Sequence, residues 1–376
     1  MNNNKDKILL LFPHIPNPRM LKRINALKEN YKLEVIYWDR GINFDRRNHI
    51  LPTIKENVIL RNANEGNPLK RVGTTIKVMI DALKLIRRAK PMYLYISKTD
   101  MLLIGYIYKR FFNNNVEIVY EVSDIHSLMI DEQKIISRKI ISKILNKIEK
   151  FLCKNIKLLI VTSEYFYKYY YQNFIEAKKT LFIPNTPDPT IFKNLKRKEN
   201  KRLTIGFIGI VRYAEQIEML IDAAELTDVE VFIAGKGIDY ERVKKYARGK
   251  EYVQIYGEYE YDKEIKLLYE KVDCIYSVYN ASMKNVQIAL PNRLYEAIYT
   301  QTPIIVAKDT YLGELVEEYN IGETIQYNDI KDLVEVINSL KDDERKIKGI
   351  KNNMSHLSNK WILENFNKEL INAIES

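Results

Sequence analysis

The chain has 376 residues, with 60 Lys and Arg against 49 Asp and Glu, and 46% of its residues are hydrophobic. That length suits two domains better than one core, and the composition excludes a disordered or fibrous chain. Only two cysteines occur, Cys153 and Cys274, far apart among apolar neighbours, and the four histidines have no close spacing. A disulfide framework and a zinc site are therefore not expected. No apolar run reaches the roughly 18 residues of a membrane-spanning helix. Residues 1–6 are polar and lead straight into an apolar run, so no secretory leader is expected and the cytoplasm is the expected compartment.

Charge is unevenly spread. Residues 1–200 hold 37 Lys and Arg against 19 Asp and Glu, whereas residues 201–376 hold 23 against 30. Such a basic half points to an anionic partner: a membrane surface, a phosphorylated carrier or nucleic acid. A compositional bias towards Lys and Asn accounts for part of the same excess. No nucleic-acid-binding motif accompanies it, so nucleic acid ranks last.

In chain order, apolar runs at 8–12, 33–38, 92–96, 116–120, 158–162 and 181–183 alternate with helical patterns. This alternation predicts parallel strands in an α/β layer. The first strand ends in a proline-rich turn at 13–19, where Arg19 opens a helix and either meets an anion or is solvated. Beyond the fourth run, Glu121-Val122-Ser123-Asp124-Ile125-His126 leads off the strand end. Asp124 and His126 are there the best-placed pair for handling a proton or binding hydroxyls, against the plainer reading of a solvated loop.

A helix predicted over 134–154 has Ile136, Ile140, Ile144, Ile148 and Phe151 on one side, with Lys139, Lys143, Lys147, Lys150 and Lys154 beside them. Its apolar face is expected to pack on the sheet, leaving the lysines free to attract an anionic membrane. The tyrosines of 165–171 fit helical packing as well as an interfacial belt.

Prolines at 184–189 followed by the basic stretch 193–202 read as a linker, and strand runs then restart at 203–208, 229–233, 252–256, 274–278, 303–307 and 324–326. The expected division is a first domain at 1–195, a second at 196–358, and a closing helix at 359–376 that packs back on the first.

In the second half, Gly209 and Arg212 follow the first strand run, and Gly235 and Gly237 follow the next. A glycine at a strand end permits close backbone approach, and an arginine just beyond binds phosphate bidentately; tight turns explain the glycines equally well. Neither stretch is GxGxxG, and no GxxxxGK[ST] occurs, which excludes the usual dinucleotide and P-loop signatures. Pro291-Asn292-Arg293-Leu294-Tyr295-Glu296 then reads as a helix start before the strand at 303–307. Unpaired N–H groups and the helix dipole hold phosphate, Arg293 adds a cation, and Glu296 one turn in is placed for sugar hydroxyls. An ordinary capped helix with an exposed arginine is the alternative.

Taken together, these segments resemble the retaining glycosyltransferases of group 1 (family 4), of the type that builds bacterial surface polysaccharides. The resemblance covers nearly the whole chain, and its most specific element is the PN(K/R)LxE segment at 291–296. It implies an α/β GT-B architecture, two doubly wound Rossmann-like domains facing a central cleft. It also implies a metal-independent enzyme moving a sugar from a nucleotide-sugar donor to a lipid-linked or growing saccharide acceptor. No cofactor is expected beyond the donor, and the chain is expected to sit peripherally on the inner face of the cell membrane. The donor-binding residues implied are Gly209, Arg212, Gly235, Gly237, Asn292, Arg293, Leu294 and Glu296, with Glu296 on the ribose and both arginines on the diphosphate. Asp124 and His126 take the catalytic role on the acceptor side.

The chain departs from the family pattern at three places. Ile288 stands where many members carry the first glutamate of Glu-x7-Glu, no lysine follows Arg212 closely, and Ser123 replaces a frequent histidine. A non-catalytic partner of a transferase, or a nucleotide-sugar epimerase on the same fold, is the competing expectation.

Overall fold

The computed structural model describes residues 5–41, 54–62, 68–131, 136–197 and 199–376. The chain forms two compact units, residues 1–183 with 364–376, and residues 184–363. The stretch 193–202, expected as a linker, belongs to the second unit. Its Arg197 donates to the Val272 carbonyl at 2.8 Å and to Thr302 Oγ1 at 2.7 Å, anchoring the basic run there.

The first unit holds β1 (Lys7–Phe12), α1 (Pro18–Leu27), β2 (Lys32–Asp39), β3 (Lys55–Leu60), α2 (Pro68–Ala89), β4 (Tyr93–Ser97), α3 (Thr99–Phe111), β5 (Glu117–Val122), α4 (His126–Asp131), α5 (Ile136–Cys153), β6 (Leu158–Val161), α6 (Glu164–Tyr169) and β7 (Thr180–Phe182). The strand order is β3-β2-β1-β4-β5-β6-β7, all pairs parallel. Central strands are buried on both faces and read as unbroken apolar runs, which is why the sequence revealed them. The edge strand β3 was not expected: it buries Ile59 but exposes Val58 and Leu60, so its pattern is weak. Asn17 caps α1, its side chain accepting from Met20 N at 3.1 Å, and Pro18 supplies the first-turn φ.

Helix α5 departs from expectation. Ile140, Ile144, Ile148 and Phe151 face outward, and Ser142, Glu149, Leu152 and Cys153 face the sheet. The cause is polar. Glu149 accepts from Tyr120 at 2.9 Å, Tyr170 at 2.9 Å and Tyr171 at 2.7 Å, and Ser142 Oγ donates to the Ser127 carbonyl at 2.8 Å. A buried carboxylate takes the hydroxyls it can reach, and that fixes the helix's rotation. The side chain of Ile136 lies outside the described residues.

The second unit holds β8 (Thr204–Ile208), α7 (Ala214–Thr227), β9 (Glu230–Ala234), α8 (Tyr240–Tyr246), β10 (Val253–Gly257), α9 (Tyr261–Tyr269), β11 (Cys274–Tyr276), α10 (Lys284–Ile288), α11 (Asn292–Thr300), β12 (Ile304–Ala307), α12 (Tyr311–Tyr319), β13 (Gly322–Ile325), α13 (Ile330–Asp342) and α14 (Glu344–Leu357). Its sheet order is β10-β9-β8-β11-β12-β13, again parallel. Helix α15 (Leu363–Glu375) closes the chain against the first unit. Lys157 Nζ donates to the Ile374 carbonyl at 2.8 Å, and the rings of Phe366 and Phe182 meet edge to face. Cys153 and Cys274 are both buried free thiols, one in each unit. Burial pushes both thiol pKa values well up.

Candidate functional site

Strand order in the second sheet reverses between β8 and β11, and open α/β sheets bind ligands in the crevice at such carboxyl ends. Arg293 reaches that point from the first turn of α11. Its Nε donates to the Ile208 carbonyl at the end of β8, and its Nη1 to the Tyr276 carbonyl at the end of β11, at 3.5 Å. The guanidinium lies 4.0 Å from the Phe207 ring centroid and 5.4 Å from that of Tyr279. The residue is only 5% exposed and has no ion-pair partner among the described residues. Arg293 is thus a buried cation spanning the switch point, not the exposed first-turn arginine of the plainer reading.

The glycines make this packing possible. Gly209 has φ +134°, and a Cβ there would stand 2.6 Å from Arg293 Nη2. Gly235 has φ +131°, and its Cβ would stand 1.9 Å from the Gly209 carbonyl oxygen; at Gly237 the distance to the Val211 oxygen would be 2.1 Å. Val211 N bonds the Lys236 carbonyl at 3.1 Å, and Gly235 N the Gly257 carbonyl at 2.6 Å. The strand-end loops of β8, β9 and β10 therefore run backbone against backbone. These glycines are demanded first by contact between loops, a requirement separate from any nucleotide.

Pro291 occupies the N-cap of α11, Asn292 its first position, and Leu294 is buried behind it. Glu296 is 3% exposed. Its Oε1 accepts from Tyr261 OH at 2.7 Å and its Oε2 from Tyr269 OH at 3.0 Å. The carboxylate expected to await sugar hydroxyls is thus engaged by two tyrosines of α9. Burial, then the Glu296 charge, pushes the pKa values of Tyr261 and Tyr269 up, so both remain donors. Tyr259 is pushed up for the same two reasons, in that order. Sequence reasoning missed these tyrosines, although the run Tyr259-Glu260-Tyr261 directly after β10 was the available signal. Arg212 is exposed beside Tyr213, 5.2 Å from its ring centroid, and the Tyr213 and Tyr279 rings are 6.2 Å apart.

In the first unit, Asp124 and His126 are both exposed beyond β5, and Ser123 Oγ donates to Asp124 Oδ2 at 3.4 Å. His126 begins α4. Behind them lies a buried polar group that sequence reasoning missed. Glu121 accepts from Arg23 Nη2 at 3.2 Å and Tyr95 OH at 2.6 Å, with Arg19 Nε at 3.7 Å. Burial alone would raise the Glu121 pKa, but Arg23 and Arg19 outweigh it and hold the carboxyl below its usual range. Arg19, in the first turn of α1, is consequently turned into the core towards Glu121 and is not solvated.

Two parallel sheets of this order, with a buried arginine and glycine-lined loops at the second switch point, define a GT-B glycosyltransferase fold. Residues 188–356, most of the second unit, match the family model described as "Glycosyl transferases group 1". Among curated proteins it is 22% identical over 300 residues to the succinoglycan biosynthesis protein ExoL of Rhizobium meliloti, covering 76% of this chain and 73% of that one. Among solved structures it is similar to Anabaena Alr3699/HepE in complex with UDP (TM-score 0.74, 17% identity, 98% and 99% of the two chains). It is also similar to the sucrose-phosphate synthase of Thermosynechococcus elongatus (TM-score 0.76, 13% identity, 99% and 98%).

Proposed function

We propose that the chain transfers a sugar, with retained configuration and without a metal ion, from a nucleotide-sugar to a lipid-linked or growing saccharide in polysaccharide biosynthesis. The observation that carries this reading is Arg293, a buried cation without a carboxylate partner among the described residues, held at the switch point beside the start of α11. As the bond between the anomeric carbon and the diphosphate breaks, negative charge grows on the departing oxygen. Arg293, the exposed Arg212 and the N–H groups opening α11 are preorganised positive groups for that charge. They supply what a divalent cation supplies elsewhere, which is the ground for proposing metal independence.

Gly209, Gly235 and Gly237 present backbone without side chains, and Asn292 stands at the helix start, both suited to the nucleotide. Leu294 holds α11 in the core. Glu296, held by Tyr261 and Tyr269, would accept from a ribose hydroxyl. Asp124 and His126 would bind the acceptor hydroxyl and handle its proton. Since the similar HepE structure holds UDP, a uridine nucleotide is the first candidate donor.

Thermal unfolding with UDP, GDP, ADP or CMP, each with and without EDTA, tests the reading. At ligand about a hundredfold above its dissociation constant, binding adds about 2.7 kcal/mol of stability. The expected result is a shift for one nucleotide, unchanged by EDTA and reduced by Arg212→Ala, whose exposed side chain can be removed without disturbing the core. No shift with any nucleotide would sink the donor site. Binding without transfer to any saccharide acceptor would favour the non-catalytic partner.

A further inference from the structure

The outward face of the first unit's helices carries an apolar surface of a particular kind. On α5, Ile140, Ile141, Ile144, Ile148 and Phe151 are 39–56% exposed, with nothing among the described residues covering them. At 3.6 residues per turn, Lys139, Lys143, Lys147, Lys150 and Lys154 fall in the sector bordering this stripe, and all five are exposed. The helix therefore shows three sectors: one buried, one apolar and one cationic.

The surface extends beyond one helix. Right-handed crossovers put α2, α3 and α5 on the same face of the sheet, and α3 packs against both of the others. The Tyr106 ring of α3 meets Phe151 of α5 at 5.2 Å. Phe111 and Phe112 at the end of α3, and Ile76 and Ile80 on α2, are also exposed. Basic side chains again accompany them, including Lys84, Arg87, Lys109 and Arg110.

Acidic side chains are sparse on these three helices, and of the described ones only Asp100 is exposed. Among the described side chains of α2, α3 and α5, Asp81 is paired with Arg61 at 2.6 Å, Asp100 accepts from Met101 N at 3.0 Å, and Glu149 is buried. The described helices include none long and apolar enough to cross a membrane. A second copy of the face would set lysines against lysines. An apolar stripe with a lysine border instead matches an anionic bilayer, where the isoleucines enter the acyl boundary and the lysines meet headgroup phosphates.

We propose that the α2–α3–α5 face, centred on α5, docks in the plane of an anionic lipid bilayer. This does not depend on the donor-site reading. Flotation of the full chain with vesicles of phosphatidylcholine, with and without phosphatidylglycerol, tests it. Binding to the mixed vesicles is expected, weakened by salt because surface charge attraction is screened.

Ile144→Glu with Ile148→Glu should lower the bound fraction about tenfold or more, by removing apolar area from the inserted stripe. Lys143→Gln with Lys147→Gln should diminish the preference for the anionic vesicles. Both variants alter exposed positions, and unchanged circular dichroism and thermal unfolding confirm their folds. The proposal is overturned if the wild type stays with the soluble fraction, or if the glutamate variant floats as the wild type does. It is equally overturned if sedimentation velocity without vesicles shows a dimer that the glutamate variant dissociates, because the face would then join two copies.

Discussion

Arg293 and Gly209 are a matched pair. The arginine can cross from α11 to the ends of β8 and β11 only because position 209 has no side chain and holds φ +134°. Gly209→Ala would force both a strained backbone and displacement of the guanidinium. The expected cost is on the order of 1–3 kcal/mol for the backbone alone, read from the urea midpoint, with nucleotide-induced stabilisation lost at the same time. The sequence located these residues but misjudged their setting. Charged residues are usually exposed, so an exposed Arg293 stood as the plainer alternative, and Glu296 was read as facing sugar hydroxyls with no protein partner named. Yet Leu294, Tyr295, Ala297 and Ile298 are buried too, leaving that helix no wet face over its first two turns. What decides their orientation is a carbonyl or hydroxyl from a distant strand or helix, and local spacing does not contain it.

At the scale of elements, legibility followed burial. Central strands such as β1 and β8 are continuous apolar runs and were plain in the sequence. Edge strand β3 was missed because an edge needs few buried residues. Helix α5 shows the sharper failure: its periodicity was right and its direction reversed. Two faces of that helix are able to pack, and Glu149 decides between them through the hydroxyls of Tyr120, Tyr170 and Tyr171. Glu149→Ala would leave three buried hydroxyls without their acceptor. The expected loss is on the order of 3 kcal/mol or more, with a changed near-ultraviolet spectrum from the tyrosines and α5 free to roll.

For the molecule as a whole, the basic first unit is held from within by a carboxylate. Glu121 has a depressed pKa when folded, so the folded state binds fewer protons than the unfolded chain in the acid range. Its stabilisation is complete above the unfolded glutamate value of about 4.3 and is lost as pH falls through the lower folded value. Urea midpoints measured over this acid range should decline with pH, while Arg23 stays charged throughout. A midpoint independent of pH there would show that the Glu121–Arg23 pair contributes nothing.

The two buried thiols give each half of the chain its own clock. A native cysteine that is both inaccessible and protonated cannot react with an alkylating reagent until the segment around it opens. Cys153 therefore times opening of the first unit and Cys274 of the second, with no engineered label. Mass spectrometry of pulse-alkylated protein should show both thiols unmodified under native conditions, and a nucleotide seated in the second unit should slow modification of Cys274. Equal slowing at Cys153 would mean that a ligand at one switch point steadies both units, which neither thiol alone could reveal.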